Sequence, residues 1–268
     1  MAQRRTAQRP SGSRFLPRLR QLTIPDLEGE LPVFPLAGAL LLPRGRLPLN
    51  IFEPRYLAMI DDALRSRRLI GMVQPQGEEA DDEADAADDD DDDVQAAPEP
   101  FAGVIQGGAS GIVRATGSSL YQVGCVGRLT SFVEREDGTI AVTLAGIARF
   151  RISRELETVH GYRRVIPDFT AYTDDLVEPG PITFDRDALM SALRRYFSMR
   201  GFEARWEAIE QMDDETLVIT LSMICPFAVA EKQALLEAQT LSQRATTLLT
   251  LLEMAGHETD DGRMPHAA

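Results

Sequence analysis

Apolar residues in the first half of the chain occur in short runs that Pro and Gly residues separate, a pattern typical of β-strands. The runs occupy residues 31–36, 39–42, 69–73, 121–132 and 139–152. Between the last two, Asp137-Gly138 predicts a hairpin, because Gly adopts the positive φ that a tight turn requires. Gly146 interrupts the last run and predicts a bulge or bend, as at the corner of a barrel. We therefore expect a β domain over residues 26–172.

One helix is predicted inside this β domain. Pro54, directly after Glu53, suits the first helical position, where its missing N–H costs nothing. Apolar residues then recur at the spacing that places them on one face of a helix. These residues are Tyr56, Met59, Ile60, Ala63 and Leu64.

The second half of the chain changes to a helical period. The tripeptide Pro-Gly-Pro in a linker at 173–181 continues neither a helix nor a strand, and residues 182–256 then predict a helical bundle. Gly201 is placed to end the first helix with a left-handed cap. The inward face of that helix carries Leu189, Ala192, Leu193, Tyr196 and Phe197.

Three further helices are predicted in the bundle. Asp213, or the Asp after it, can cap the second helix, which stops before Pro226. Residues 230–238 give a short third helix. Ser242 is the predicted cap of the last helix and Gly256 its end. The inward faces of the second and last helices carry Leu217, Leu221 and Ile224, and Ala245, Leu248, Leu249, Leu252 and Ala255.

Charge is concentrated in two segments outside these predicted elements. The net charge is −14, yet twelve of the 42 acidic residues lie at 78–93, so the remaining 30 nearly balance the 28 Lys and Arg. A block of like charge without apolar residues cannot offset its ordering entropy, which predicts a disordered acidic insert at about 76–100. Residues 1–25, with six Arg and no acid in the first twenty, predict a disordered basic arm, and residues 257–268 a disordered polar tail.

The sequence argues against a membrane or secreted protein. No apolar run approaches the ~18 residues of a membrane span, and the basic start lacks the apolar stretch of a secretory signal. Cys125 and Cys225 lie far apart in sequence, and we interpret them as small buried apolar residues rather than as a disulfide. We therefore expect a cytoplasmic protein without a membrane partner.

The residues that catalysis usually needs are scarce. Lys232 is the only lysine and no glycines precede it at the spacing of a phosphate-binding loop. A Ser–Lys dyad would also depend on Lys232, whose sequence surroundings give no sign of the desolvation that lowers a lysine pKa. Residues 108–111, Gly-Ala-Ser-Gly, miss the nucleophile-elbow spacing by one position. The scattered His160, His257 and His266 offer no zinc-ligand spacing, so we expect no catalytic residue, cofactor or metal.

Several motifs, in order, resemble the N-terminal substrate-binding domain of Lon proteases. FPL at 34–36, LPL at 47–49 and IFEPRY at 51–56 open the resemblance, which covers about residues 31–255. Further matching stretches lie at 120–132, 137–152, 161–165, 223–227 and 230–238. The resemblance implies an α+β fold: a β pseudobarrel of the kind shared with PUA domains, with an embedded helix, followed by a C-terminal helical bundle.

The resemblance also implies a role. In Lon proteases this domain helps to select unfolded or hydrophobic substrates, and the ATPase and the Ser–Lys peptidase follow it; we expect this chain to stand without those parts. Ala228-Val229 departs from the family by replacing a Ser-Pro pair, which should weaken the following helix start by roughly 1 kcal/mol. Residues 101–117 match no motif of the family.

The motif residues around the embedded helix are expected to preserve the fold. They are Phe34, Pro35, Pro48, Phe52, Glu53, Pro54, Arg55 and Tyr56. Glu53 is expected to cap the helix and Arg55 to form an ion pair at the surface or between elements.

The candidate polypeptide-binding residues are three consecutive leucines. They are Leu40, Leu41 and Leu42. Side chains alternate along a strand, so at least one of three should face outward. We expect them to line a groove between barrel and bundle, since ligand sites favour domain junctions; a fully buried strand is the alternative.

Three function classes remain open. The first is recognition of unfolded or hydrophobic polypeptide segments, with a protease or chaperone as a candidate partner. The second is RNA binding through the PUA-like fold, which the near-neutral charge of the folded part disfavours. The third, a hydrolase independent of ATP that uses Ser222 or Lys232, has the least support because no nucleophile–base pair is recognisable.

Overall fold

The computed structural model describes residues 23–76, 105–106 and 119–257. The predicted basic arm, acidic insert and polar tail fall almost wholly outside these residues, as does most of the segment 101–117.

The first half of the described chain contains nine strands, and six of them form a closed sheet. Its strands are β1 (Leu31–Pro35), β2 (Arg46–Ile51), β3 (Leu69–Val73), β4 (Pro75–Gln76), β5 (Ile105–Gln106), β6 (Ser119–Leu120), β7 (Val123–Glu134), β8 (Ile140–Val159) and β9 (Tyr162–Asp168). Six of them follow the order β2-β8-β7-β3-β1-β9, with β1 and β3 parallel. The long β8 pairs with β2 and β7 through its first half and with β9 through its second, which closes a pseudobarrel.

The predicted irregularity at Gly146 is confirmed. Gly146 pairs with Gly127 while Ala148 pairs with Val126, so β8 carries one extra residue at Ile147. The Gly146 N–H donates to the Gly45 carbonyl oxygen over 2.9 Å, and a Cβ at Gly146 would lie 1.9 Å from the Leu42 carbonyl oxygen. Glycine therefore lets the loop after β1 lie directly on β8.

Two helices accompany the barrel. The short α1 (Ile24–Leu27) buries Leu27 in the barrel interior. The embedded helix is confirmed as α2 (Pro54–Arg65), with Pro54 at its first position. The buried face of α2 carries Tyr56, Met59, Ile60 and Ala63, while Leu64 is half-buried.

The second half of the described chain is helical. It contains a 3-10 segment (Thr170–Leu176), α3 (Arg186–Arg200), β10 (Glu203–Ala204), α4 (Trp206–Glu210), α5 (Asp214–Ile224), α6 (Val229–Glu237) and α7 (Leu241–His257). The Asp185 carboxylate accepts from the Ala188 N–H at the start of α3, and Gly201 ends that helix with φ 69°. Asp213 caps α5 by accepting from the Thr216 N–H. Together with the mixed sheet, these helices confirm the predicted α+β fold.

Some details of the helical half differ from expectation. Thr240, not Ser242, caps α7, because the Thr240 hydroxyl accepts from the Gln243 N–H. The Ser242 hydroxyl instead accepts from the Thr183 N–H in the linker. Gly256 does not end α7, which continues to His257. Ile224, expected inward, is 36% exposed because α5 ends there.

The buried apolar residues form two clusters. The smaller lies inside the barrel around Phe150, Val126 and Val165. The larger is continuous from the outer side of the barrel through α2 to the bundle and includes Leu144 of β8 and Leu235 of α6. Cys125 and Cys225 are free and buried, as expected, and burial raises the pKa of both thiols.

We predict that Gly146→Ala destabilises the protein by about 3 kcal/mol or more, because the added methyl group must displace backbone. The control is Gly180→Ala in the linker, where a Cβ would meet nothing within 4 Å. Urea unfolding monitored by tryptophan fluorescence compares the two variants. Equal unfolding free energies would contradict the close approach of the loop to β8.

Candidate functional site

The aromatic residues of the family-like motifs join the barrel to α2. Phe34 of β1 and Tyr56 of α2 are buried, and their ring centroids lie 4.1 Å apart. The Arg55 guanidinium lies 4.6 Å from the Tyr56 ring centroid. This packing supports a structural role for Phe34, Tyr56 and Arg55.

Glu53 acts at the start of α2 differently from the expectation. Its backbone carbonyl accepts from the N–H groups of Tyr56 and Leu57, but its side chain makes no capping hydrogen bond. The Glu53 carboxylate instead accepts from Arg55 Nε over 2.9 Å. Glu53 is therefore the N-cap residue of α2, as expected, but it caps through its backbone carbonyl and not through its side chain. The predicted ion pair of Arg55 forms within the motif.

Pro48 lies in the middle of β2, opposite Thr143 of β8. Among the described strands, β2 has a neighbour on one side only. Proline has no N–H to give to a ladder and is therefore confined to such edges. Pro48 thus leaves the open edge of β2 without a donor at its centre.

A second contact of α2 involves the β8–β9 turn. Asp62 Oδ2 accepts from the Tyr162 hydroxyl over 2.8 Å and lies 3.0 Å from His160 Nδ1. Hydrogen bonding by Tyr162, and then by His160, holds the pKa of Asp62 below its usual value. His160 has φ 49° and precedes Gly161 with φ 83°, which confirms His160 as a turn residue.

The three candidate leucines do not form a binding surface. Leu40, Leu41 and Leu42 are all buried in the larger cluster, so the expectation that one of them faces outward is wrong. The strand pattern fails here because these residues form an irregular loop that is covered by the sheet on one side and by the helices on the other.

Lys232 of α6 binds the loop that carries these three leucines. Its Nζ donates to the carbonyl oxygens of Gly38 over 2.6 Å and Met223 over 3.1 Å, and the side chain is 5% exposed. Burial lowers the pKa of Lys232, so the expectation of no desolvation is wrong. The hydroxyl of Ser222, the other residue of the hydrolase alternative, is buried and donates to the Val218 carbonyl oxygen. Both side chains are therefore engaged by backbone rather than paired with each other.

A buried arginine joins the barrel, the linker and the bundle. Arg149 of β8 makes a two-pronged contact with Asp175, at 2.9 Å from Nε to Oδ2 and 2.8 Å from Nη2 to Oδ1. Arg149 Nη1 donates to the carbonyl oxygens of Leu236 and Ala238 at the end of α6. Burial alone would lower the pKa of Arg149, but the Asp175 carboxylate outweighs burial and raises it.

Arg244 and a pair of glutamines extend this junction. Arg244 Nε of α7 donates to the Leu235 carbonyl oxygen over 2.8 Å, and burial lowers the pKa of Arg244 to about 10. Gln74, after β3, donates to Gln233 of α6 over 3.2 Å, and Gln233 donates to the Val123 carbonyl oxygen over 3.1 Å. The predicted groove between barrel and bundle is therefore filled by buried polar contacts.

Exposed apolar side chains gather at one end of the barrel. Of the seven large apolar residues that are exposed in the described chain, three lie at the ends of β2 and β7. These three, which we call the apolar rim, are Phe52, Phe132 and Val133, at 47%, 47% and 61% exposure. Ile51, Ile140 and Glu134 form one row across β2, β8 and β7. Phe52 follows this row directly after β2, and Phe132 and Val133 precede it on β7.

A sequence signal for the rim existed. Phe132 and Val133 are consecutive apolar residues at the end of a strand, and alternation turns them to opposite faces. Phe132 shares the face of Val142, and Val133 shares the face of Ala141. Beyond the barrel at this end, both faces remain exposed, which the pattern alone did not reveal.

The described residues hold no group of three or more His, Cys, Asp or Glu side chains that could bind a metal ion. Within the same part of the chain, no helix is long and apolar enough to cross a membrane.

Comparison with known proteins gives one family. The model of the ATP-dependent protease La (LON) substrate-binding domain matches residues 30–254. Lon protease 1 of Herpetosiphon aurantiacus is 23% identical over 236 residues, which cover 87% of this chain and 25% of that protein. Lon protease of Dictyoglomus thermophilum is 22% identical over 249 residues, which cover 86% and 26%. The chain thus spans about a quarter of the length of these relatives.

Two solved structures are similar over most of the chain. A Lon N-terminal domain protein from Xanthomonas campestris has a TM-score of 0.47 at 17% identity, covering 83% of this chain and 98% of that one. The N-terminal domain of a Mycobacterium avium complex Lon protease has a TM-score of 0.47 at 14% identity, covering 84% and 98%.

We predict that Arg149→Met destabilises the protein by about 3–5 kcal/mol, because Asp175 is left buried without its guanidinium partner. The matched control is Arg151→Met, an exposed arginine two residues along β8, with an expected change within about 0.5 kcal/mol. The double variant Arg149→Met/Asp175→Leu should recover part of the loss. Denaturant unfolding gives the unfolding free energy of all three variants. Equal losses for Arg149→Met and Arg151→Met would contradict the role of Arg149 at the junction.

We predict that the stabilisation by Asp62 is lost at acidic pH. Because the pKa of Asp62 is lowered in the folded state, the ionised form contributes stability above its unfolded value, and this contribution falls as pH drops through the folded pKa. The unfolding free energies of wild type and Asp62→Asn should therefore differ at pH 6 and converge below about pH 4. Tyr162, His160 and Arg65 are the ionisable groups that act on Asp62.

The neighbouring Asp61→Asn, which removes a carboxylate paired only with Arg65 at the surface, is the control. A pH-independent difference for Asp62→Asn would show that its contact with Tyr162 does not depend on the charge.

Proposed function

This chain belongs to the ATP-dependent protease La (LON) substrate-binding domain family, and from that membership we propose that it binds unfolded or apolar polypeptide segments without cleaving them. The apolar rim is the observation that carries this proposal. Soluble domains rarely expose contiguous apolar surface unless it contacts a partner. Phe132, with half-buried Leu49 and Ile140, forms exposed apolar surface on one face of this sheet end. Val133 is exposed on the opposite face, and Phe52 is exposed directly after β2.

The rigid connection of the barrel to the bundle supports the same function. A binding surface keeps its affinity when little order must be imposed on it during association. The rim lies on the β2–β8–β7 part of a closed sheet, and the junction through Arg149 and Lys232 holds that sheet against the helices. Phe132 and Val133 are therefore carried by a strand, and Phe52 directly follows another.

The arrangement of Lys232 and Ser222 supports a role without catalysis. A general base must accept a proton, whereas Lys232 donates to two carbonyl oxygens and is enclosed by the core. The buried Ser222 hydroxyl donates to backbone and has no route to a substrate carbonyl. We therefore propose that proteolysis, where it follows recognition, belongs to a partner such as a protease, and that a chaperone is the other candidate partner.

We predict that Phe132→Ser/Val133→Ser weakens binding of an unfolded polypeptide by about tenfold or more, because the apolar area that the ligand covers is reduced. The probe is reduced, carboxymethylated α-lactalbumin, which stays unfolded in buffer, and binding is followed by fluorescence anisotropy. Val177→Ser is the matched control, since Val177 is 62% exposed in the linker and lies outside the rim.

The same titration tests the absence of catalysis. The probe should remain intact by mass spectrometry over hours, and ATP should not change the affinity. Equal weakening by Val177→Ser would remove the rim from the proposal, and cleavage of the probe by pure protein would remove the non-catalytic role.

A further inference from the structure

One face of the β2–β8–β7 sheet carries two arginines beside small side chains. Arg46 of β2 and Arg128 of β7 both pair with Ala145 of β8, so the three side chains share a face. Arg46 is exposed and Arg128 half-buried. Four residues along β8 from Ala145, Ala141 pairs with Val133, which places the exposed Val133 at the far end of the same face. We call this strip, from Arg46 and Arg128 to Val133, the arginine face.

The two guanidinium groups have no partner within the described part of the chain. Neither Arg46 nor Arg128 forms an ion pair or a side-chain hydrogen bond there, and Nε of Arg128 is buried without an acceptor. Asp26 of α1 lies close enough to Arg128 to interact through charge, but its carboxylate is bound to the Thr23 N–H and hydroxyl. A guanidinium group carries five N–H donors, so the half-buried Arg128 can offer its accessible N–H groups to an acceptor from outside even though its Nε is buried.

The spacing of the pair suits an oxyanion. The backbones of β2 and β7 lie two strand spacings apart, about 10 Å, on either side of β8. Ala145 between them has only a methyl group, is 4% exposed and adds no polar group to this row. Guanidinium groups bind carboxylates through paired N–H donors, which gives both charge and geometric selection.

The far end of the face suits an apolar side chain. The rows of Ala145 and Ala141 are four residues apart along β8, or about 13 Å. Thr143 and Ser131 form the row between them. Their side chains are short enough for an extended chain to lie over the sheet, parallel to β8. Val133, which is 61% exposed, is then placed to contact an apolar side chain of a bound chain, about four residues from the carboxylate of that chain.

We propose that the arginine face binds an extended polypeptide segment that presents a carboxylate to Arg46 and Arg128 and an apolar side chain, about four residues away, to Val133. This inference rests on the proposed recognition of polypeptides and adds a selectivity to it. The carboxylate can be the chain terminus or an acidic side chain, since both offer two acceptor oxygens. A nucleic acid fits less well, because the described rows of this face carry no aromatic side chain on which a base could stack.

Four fluorescein-labelled octapeptides distinguish the two sources of the carboxylate. Each contains one leucine, with Ser, Gly and Thr at every position except the one that is tested. The first has leucine four residues before a free C-terminus, and the second is its C-terminal amide. The third and fourth are amides with an internal Asp or Asn four residues after the leucine. Wild-type protein should bind the first or the third at least about fivefold more tightly than its uncharged counterpart.

Variants assign that preference to the arginines. Arg46→Ala and Arg128→Gln should each reduce this fivefold preference to about twofold, and Arg46→Glu should abolish it. Arg195→Glu, an exposed arginine of α3, is the control for net charge. Because Arg46 is exposed and unpaired, its variants should keep the wild-type thermal midpoint, so that a loss of preference is not a loss of fold.

The outcomes separate this inference from the proposed function. If carboxymethylated α-lactalbumin binds but the peptides show no preference for a carboxylate, the arginine face is overturned and recognition stands. If the preference survives Arg46→Glu, the carboxylate binds elsewhere and the assignment is wrong. Tighter binding of a single-stranded RNA than of any peptide, lost in Arg46→Glu, would overturn the polypeptide as occupant. Absence of binding by every polypeptide would overturn both proposals.

Discussion

The buried guanidinium of Arg149 is the interaction on which the relation of barrel to bundle depends. A helix leaves its last carbonyl groups without donors, and Leu235, Leu236 and Ala238 at the end of α6 are buried. Arg149 supplies donors to Leu236 and Ala238, and Arg244 supplies one to Leu235. The charge of Arg149 is tolerable at that depth only because Asp175 neutralises it through two contacts. One strand, one linker segment and two helices thus meet at a single polar cluster, which fixes their mutual orientation.

Local signals predicted the elements but not their contacts. The period of α2, the Asp213 cap and the Gly201 stop depend on neighbouring residues and were readable from sequence. Burial of Lys232 depends on Gly38, which lies 194 residues away, so no local pattern could indicate it. The stretch around Lys232 and Gln233, matched only as a motif, proves to be the side of α6 that contacts the barrel.

For the candidate site, too, local sequence patterns could not predict which residues come into contact. The leucines at 40–42 looked like a surface because alternation assumes that one side of a strand meets solvent, whereas both sides of this loop are covered. Arg46 and Arg128 carried no mark in the sequence, because only the register of three strands places them beside Ala145. Phe132 and Val133 were the exception, since two adjacent apolar residues at a strand end cannot both face one core.

Pro48 has a consequence for a protein that handles extended chains. A strand with an open edge can recruit another strand through its backbone and so seed aggregation, regardless of the sequence it meets. Pro48 has no N–H at the centre of β2, so another strand pairs less readily with this edge beside the exposed rim. Under the proposed function, discrimination between polypeptides falls to side chains, and a bound polypeptide can be released without its backbone having joined the sheet.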